Sequence, residues 1–554
     1  MAKFASKIIT FVFKPIDDLL NSFTMYKIMM FSLTAIAGMS ALLSVLGILH
    51  FSLLSIALSL SLILTLCFLI NLAFAQIFSV PINLESSFIS GMILFLIFSP
   101  ADSATGFIML VLAAVIAMTS KYILAINNKH VFNPAAIAAL IIPLLGFDGA
   151  SWWVATPFLA PLVAICGILI VRKIHRFSLF FAFVGAALLS IFIHNAGYVT
   201  NYADFVGEVL LSWPILFFGG FMLTEPYTMP PTKRLQIIFG LIIGALFGAQ
   251  LSFGPFYSTP EAALIVGNIF AYLVSSKRRL VLTLKKTTKL SATNYEFAFT
   301  LPAHMNKFVF TAGQYLEWTV PLPNPITVLQ NPIIRAQFAK INTFTSINLA
   351  FPDLRGNRRF FTIASSPTES ELLLAIKIPP TGASFFKQKL QALKPGDTIL
   401  AGQLAGDFTL PKKLTSTTNL VFIAGGIGIT PFRSMVAYLL DTATSQKTDM
   451  PHITLLYCNS DATDFAYADF FNKASKKLHL TVHYIITKKE LVPAGWTGQV
   501  GRITPEMLQK LTPDYVCSTF YLSGPNAMVT AYKETLLSMN IAPANIKQDY
   551  FSGY

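Results

Sequence analysis

Residues 421–435 read VFIAGGIGITPFRSM, an apolar run that breaks into Gly425, Gly426 and Gly428 and then resumes as a helical pattern. This predicts a buried strand, a glycine-rich turn and the start of a helix. Glycine admits positive φ and lets another group approach the backbone closely. The unpaired N–H groups at a helix start favour an anion such as a pyrophosphate. Gly426, Gly428 and Thr430 are therefore candidate nucleotide-binding residues, provided the flanking elements hold the turn open.

Those elements lie in a chain of two characters. The 554 residues are 54% hydrophobic but only 12% charged, against roughly 25% charged in a soluble domain. Nearly all long apolar runs precede residue 275; beyond it charge, turn residues and short strands alternate. The net charge of +14 fits basic membrane loops, and without a dense basic face carrying aromatics it gives no sign of nucleic-acid binding. Cys67, Cys166, Cys458 and Cys517 show no CxxC spacing, so no iron–sulfur or zinc site is expected. Residues 1–26 carry Lys3, Lys7 and Lys14 ahead of apolar stretches too long for a signal peptide, which predicts an anchor.

Apolar segments fall near 28–48, 52–75, 87–99, 104–124, 134–146, 153–171, 177–193, 207–223, 236–252 and 261–275. Two of them, 87–99 and 134–146, are short of the roughly 20 residues a span needs and read as half-helices. Lys121, Lys129, Arg172, Lys173, Arg176, Lys233, Arg234 and Lys277-Arg278-Arg279 fall on alternate loops, while Asp102, Asp148, Asp204 and Glu208 occupy the others. The positive-inside rule puts the N-terminus and everything after residue 276 in the cytoplasm. Phe98-Ser99-Pro100 and Asn133-Pro134 recur 126 positions later as Glu225-Pro226 and Thr259-Pro260. The offset spans five segments, so the copies face opposite ways, as in inverted-repeat transporters. His50 and His194 stand alone near helix ends, against the paired histidines a haem would need. His130 and His175 read as solvated.

KHVFNPAAIAAL (129–140) and FMLTEPYTMPP (221–231) resemble motifs of one family of membrane subunits, found in the Rnf electron-transport complex and in the sodium-pumping NADH:quinone reductase. That resemblance covers roughly residues 25–275. It implies ten helices in two inverted repeats, and a covalent FMN on a threonine whose place here is Thr156. Ala155-Thr156-Pro157 keeps the end of that motif, but Trp153-Val154 replaces its Ser-Gly. The other reading of Thr156 is a helix-starting threonine beside interfacial tryptophans.

From Leu280 the pattern turns to short strands, LVLTL, NYEFAFTL and KFVFTAGQYLEWTV, which predict an antiparallel barrel. Gly313-Gln314-Tyr315 and Arg358-Arg359-Phe360-Phe361-Thr362 resemble motifs of the ferredoxin–NADP reductase superfamily. The resemblance implies FAD, with Arg359 on a phosphate, Phe361 stacking on the flavin ring and Thr362 at its polar edge. Phe361 replaces the usual tyrosine. Gly382 and Ser384, ahead of a helix at 385–393, resemble the second phosphate turn. GGIGITP becomes the pyrophosphate turn of NADH or NADPH, opening a small doubly wound sheet. Ser523-Gly524-Pro525-Asn526-Ala527-Met528 resembles Cys-Gly-Pro-x-x-Met, so Ser523, Gly524, Pro525 and Met528 face the nicotinamide. Thr362 and Ser523 are the candidate catalytic residues. Phe551 or Tyr554 would cover the flavin. Thr487-Lys488-Lys489 favours NADPH and Asp461 favours NADH, with the balance toward NADH.

The expected fold is multi-domain. A polytopic α-helical membrane domain with inverted repeats spans 1–276, an antiparallel β-barrel FAD domain 277–412 and an α/β NAD(P)-binding domain 413–554. The expected function is a multi-pass cell-membrane NAD(P)H oxidoreductase, with its flavin domain in the cytoplasm. It passes electrons through FAD to a covalent FMN, a quinone or a redox partner protein. The alternative is an inverted-repeat transporter or channel regulated by a flavin reductase domain. The insertion at 321–352 has no assigned role.

Overall fold

Capping residues and prolines decide where the apolar segments become helices. Ser52, Ser103, Asn133 and Thr259 each accept a backbone N–H from the first turn that follows them. This satisfies donors that a helix start leaves unpaired. Pro134 and Pro260 then open their helices, where a missing N–H costs nothing. A computed structural model describes residues 15–549 except 18, 21, 79–83, 127–128, 198, 200, 250, 254–255, 276–279, 304, 306, 321–356 and 447–449. Phe551, Tyr554, the basic triplet 277–279 and the insertion at 321–352 lie outside the described residues. The chain divides into two units between Arg279 and Leu280.

The first unit is helical. Met25–Val45, Leu53–Ile77, Ala104–Ile123 and Phe177–Asn195 are long and apolar enough to cross a bilayer. Tyr202–Ser212 and Ile215–Met222 qualify together as a bent pair, at 53°. Leu84–Ile97, Pro134–Leu144 and Pro260–Val274 are shorter apolar helices. By length and composition four of the described helices, or five with the bent pair as one span, are long enough to cross. Leu54, Phe181 and Ile193 point outward, as a lipid-facing surface requires.

Lipid offers helices no hydrophobic drive to associate, so close packing of small residues takes over. Gly240, Gly244 and Gly248 line one face of Lys233–Phe247 and its C-terminal cap. A Cβ on them would lie 2.9 Å from the Leu179 carbonyl oxygen, 2.5 Å from that of Phe183 and 2.6 Å from the Ile191 nitrogen. The two helices therefore touch backbone to backbone. Phe218–Met222 forms a π-helical turn, and a Cβ on Gly220 would lie 2.7 Å from the Gly167 Cα. The turn leads to Glu225, whose carboxylate meets His130 Nε2 at 3.1 Å. His130 is therefore paired and partly buried rather than solvated, because the chain break at Glu225-Pro226 brings an acid to it.

The second unit holds two six-stranded sheets. The antiparallel sheet runs Arg358–Thr362, Tyr315–Thr319, Thr398–Ala405, Leu280–Lys289, Asn294–Thr300, Leu372–Lys377. Its core is Leu282, Phe297, Phe299, Trp318, Leu374 and their neighbours. Of the expected strand 307–320, only Tyr315–Thr319 is extended in the ladder, because the turn at Gly313, φ +95°, interrupts the run. The second sheet is parallel, in the order Gln499–Val500, Leu480–Ile486, His452–Asn459, Asn419–Gly425, Thr519–Ser523, Ile546–Gln548. The first strand in sequence, Asn419–Gly425, lies between the second and the fifth, so the chain reverses direction across the sheet there. Open α/β sheets bind ligands at such a switch point.

A buried carboxylate ties the two sheets together. Asp464 accepts from the Ser291 and Thr293 hydroxyls, the Asn294 amide and Lys377 Nζ, at 2.7–3.0 Å. Burial works against its charge, but Lys377, Ser291 and Thr293 outweigh it and hold the carboxyl below its usual range.

Replacing Gly244 by valine should destabilise the helical unit by about 1–3 kcal/mol through overpacking. Gly38→Ala, with nothing within 4 Å of its Cβ, should not. Thermal unfolding of the detergent-solubilised chain compares the two.

Candidate functional site

The glycine-rich turn stands at the switch point. Gly426–Ile429 is a 3₁₀ turn, continued by the helix Thr430–Gln446. Gly426 has φ +55°, and a Cβ there would meet only Asn459 Oδ1, at 3.6 Å. Its face is open, as a backbone cradle for an anion must be. Gly425 and Gly428 are tight instead. A Cβ on Gly428 would sit 2.5 Å from the Ser523 carbonyl oxygen, and one on Gly425 2.4 Å from Met528 Sδ. The turn therefore packs directly on the second loop, Ser523–Met528. Gly524 has φ +156°, Pro525 precedes the helix Asn526–Ser538, and Thr430 Oγ1 donates to the Ile427 carbonyl at 3.2 Å.

On the antiparallel sheet, Arg359, Phe361 and Thr362 share the edge strand Arg358–Thr362, which pairs with Tyr315–Thr319. The Arg359 side chain is buried, and its guanidinium lies 5.8 Å from the Phe386 ring centre. Phe386 also packs on Phe361, centroids 5.6 Å apart. Phe386 lies in the first turn of the short helix Phe385–Gln391, so the arginine, the aromatic and the second phosphate turn form one cluster. Gly382 in that turn has φ +72° and open space beyond its Cα. Ser384 caps the helix by position, without a side-chain hydrogen bond.

Ser523 reaches an acid that no sequence motif singles out, Asp549, and Thr362 of the other sheet lies near it without a hydrogen bond. Ser523 Oγ donates to Asp549 Oδ2 at 3.0 Å, fully buried. The Asp549 N–H donates to the Leu522 carbonyl at 2.9 Å. Burial pushes the Asp549 carboxyl up to about 7, against the opposing influence of Ser523, its hydrogen-bond donor, and of the nearby Thr362 hydroxyl. The available signal was an acid one residue beyond the last strand, Ile546–Gln548, which pairs with Thr519–Ser523.

Arg433 is a second residue the motifs did not flag. It donates to the Ala364 carbonyl at 3.1 Å and forms a two-pronged ion pair with Glu369. Ser434 Oγ donates to the Ser365 carbonyl at 2.6 Å. The helix after the glycine turn thereby grips the loop after Thr362. Thr156 belongs to the other unit. Its hydroxyl is buried and has no hydrogen-bond partner among the described residues.

Residues 422–534 match the family model of the oxidoreductase NAD-binding domain. NADH-cytochrome b5 reductase 1 of Aspergillus clavatus is 27% identical over 190 residues, 34% of this chain and 59% of its own length. One component of the Na(+)-translocating NADH-quinone reductase of Klebsiella pneumoniae is 23% identical over 259 residues, 44% of this chain and 61% of its own. The chain thus spans about three-fifths of the length of these relatives. Among solved structures, the Amycolatopsis cytochrome P450 reductase aligns at 20% identity with a TM-score of 0.38, over 50% of this chain and 70% of that one.

The Asp549 shift has a thermodynamic sign. The folded chain keeps this proton to about pH 7, whereas an ordinary aspartate loses it near 3.8. Its contribution to stability is therefore full below about 3.8 and is lost as pH rises through about 7. Asp549→Asn should remove that loss. Denaturant midpoints of the full chain at about pH 5 and about pH 8 should differ less in the variant than in the wild type.

Proposed function

We propose that the chain is a membrane-bound NAD(P)H oxidoreductase that passes electrons from the nicotinamide through FAD to an acceptor in or across the bilayer. The observation that carries this reading is the convergence of Thr362 and Ser523, from two different sheets, on Asp549 beside the glycine-rich turn. The family match and the NADH reductases among the relatives support it.

The residues present suit both nucleotides. The open left-handed backbone at Gly426, with Gly428 and Thr430 at the helix start, would take the pyrophosphate of NADH or NADPH. Gly524, Pro525 and Met528 would flank its nicotinamide. Arg359 would pair with an FAD phosphate, Phe361 would pack on the ring, and Gly382 and Ser384 would receive the rest of the pyrophosphate. Bound there, FAD supplies the exchange between two-electron and one-electron transfer that side chains cannot perform. The chain's own part is to orient the rings, exclude water and hold a proton on Asp549 near neutral pH, with the Ser523 hydroxyl positioning that carboxyl. Asp461, which caps its own turn through Thr463, would repel a 2′-phosphate, so NADH is the preferred donor. Phe551 or Tyr554 would shield the flavin before NADH arrives.

The helical unit, domain 1–276, would be the acceptor half, ahead of domains 277–412 and 413–554. Its broken helices at Pro134, Pro226 and Pro260 support the likeness to the membrane components of the Rnf complex and the sodium-pumping quinone reductase, with ten segments and the flavin half in the cytoplasm. Acceptors consistent with this are a quinone, a redox partner protein or an FMN on Thr156. The buried hydroxyl means that the 148–159 turn has to open before a flavin can be attached.

Purified chain should be yellow and should bleach on addition of NADH; colourless protein that stays unbleached with added FAD overturns the reading. Arg359→Ala should weaken FAD binding roughly 10- to 100-fold, the loss of a charge-assisted hydrogen bond of about 1.5–3 kcal/mol. Flavin release by ultrafiltration measures it. In-gel fluorescence of denatured protein, wild type against Thr156→Ala, decides the covalent FMN. Fluorescence lost in the variant establishes it, and none in either rejects it.

A further inference from the structure

The flavin chemistry leaves unused a line of polar side chains inside the helical unit. Glu225 arrives after the π-turn Phe218–Met222, and such turns are frequent at functional sites. Its Oε1 meets His130 Nε2 at 3.1 Å, and its Oε2 accepts from Asn133 Nδ2 at 2.9 Å. The Asn133 N–H donates to Asn268 Oδ1 at 2.9 Å. Asn268 is fully buried, at 0% exposure, on the helix Pro260–Val274. Seven residues earlier, two turns along the same face, lies Glu261 at 5% exposure.

Two atoms of this line are unsatisfied. Asn268 Nδ2 and Glu261 Oε2 are buried without a hydrogen-bond partner among the described residues. Such orphans are destabilising, and buried water is the usual remedy. The Thr259 and Trp152 side chains that contact Glu261 are neutral. An ionised carboxylate there would leave Oε2 with no donor or cation facing it. A metal cation does not suit the line. Asn133 Oδ1 already accepts from the Ala135 and Ala136 N–H groups, Asn268 Oδ1 from Asn133, and both Glu225 oxygens face donors.

We propose that Glu261, Asn268, Asn133, Glu225 and His130 line, with ordered water running from Glu225 past the two asparagines to Glu261, a proton-exchange path inside the helical unit. The His130–Glu225 pair, with side chains 13% and 21% exposed, is its entrance. Protons move between water and carboxylate oxygens, and the two asparagines position that water. One proton enters at the pair for each that Glu261 gives up, so no net charge accumulates. This goes beyond the electron-transfer reading and supplies what it lacks: a source of protons for an acceptor, of the quinone class, that gains protons with its electrons.

Infrared spectroscopy of the full chain in lipid nanodiscs tests the path without NADH or acceptor. The wild type should show a protonated-carboxyl C=O band that Glu261→Gln removes. On transfer to D2O the band should shift rapidly. Asn268→Leu and Glu225→Gln should slow that exchange roughly tenfold or more, a barrier rise of about 1.4 kcal/mol. Asn268→Ser, which keeps a donor and leaves room for water, should exchange as fast as the wild type. NADH bleaching of the same samples reports separately on the flavin half and on intact folding there. A wild-type spectrum with no carboxyl band that is missing from Glu261→Gln overturns the proposal; the band of Asp549 is common to both. So does an exchange rate indifferent to Asn268 and Glu225.

Discussion

Two backbone turns that leave no room for a side chain between them govern the C-terminal unit. A Cβ on Gly428 would run into the Ser523 carbonyl, and one on Gly425 into the Met528 sulfur. Because those turns touch, Ser523 stands beside the glycine-rich loop instead of several ångströms away, and the end of Ile546–Gln548 can deliver Asp549 to it. Strand register fixes the rest. Ala424 lies opposite Ser523 in a parallel ladder, so the two loops leave the same end of the sheet. The site is thus a consequence of backbone approach, with the polar residues placed by it.

The antiparallel sheet adds Thr362 and Arg359 only if its edge strand is held against the nucleotide sheet. Arg433 grips the loop after that strand, and Asp464 fastens the other end of the sheet, at Ser291, Thr293, Asn294 and Lys377. Asp464 is an acceptor surrounded by donors, so its ionised form is favoured despite burial. Arg433 pairs with Glu369 while its guanidinium lies near the Tyr467 and Phe470 rings, 5.8 and 5.3 Å from their centres. Such a charge is tolerated in a dry interface only because it is paired and hydrogen-bonded. Arg433 thereby joins the loop after the Arg358–Thr362 strand to the helix that follows the glycine turn.

The helical unit solves the opposite problem. Its surface must be apolar, and its backbone must satisfy itself. Glycines at 240, 244 and 248 let two helices meet closely, and the breaks at Pro134, Pro226 and Pro260 free polar groups in the interior. Asn133 repairs one break as a helix cap. It also links Glu225 to Asn268 through its amide and backbone N–H, which makes the break a junction in a polar line and not a defect.

Much of this was written locally in the chain. The contrast in composition across residue 275, the strand–glycine–helix sequence at 421–435, the half-helices at their prolines and the Arg359–Thr362 strand are all short-range patterns of hydrophobicity and backbone preference. One sequence suffices to read those. Asp549, Arg433, Asp464 and the His130–Glu225 pair carry no such local mark. His130 and Glu225 are 95 positions apart, and Ser291 and Asp464 are 173. A side chain's burial and its partners are properties of the packed chain. Tertiary structure alone decided which acid would be pushed toward neutrality, which would stay charged, and which hydroxyls would converge on it.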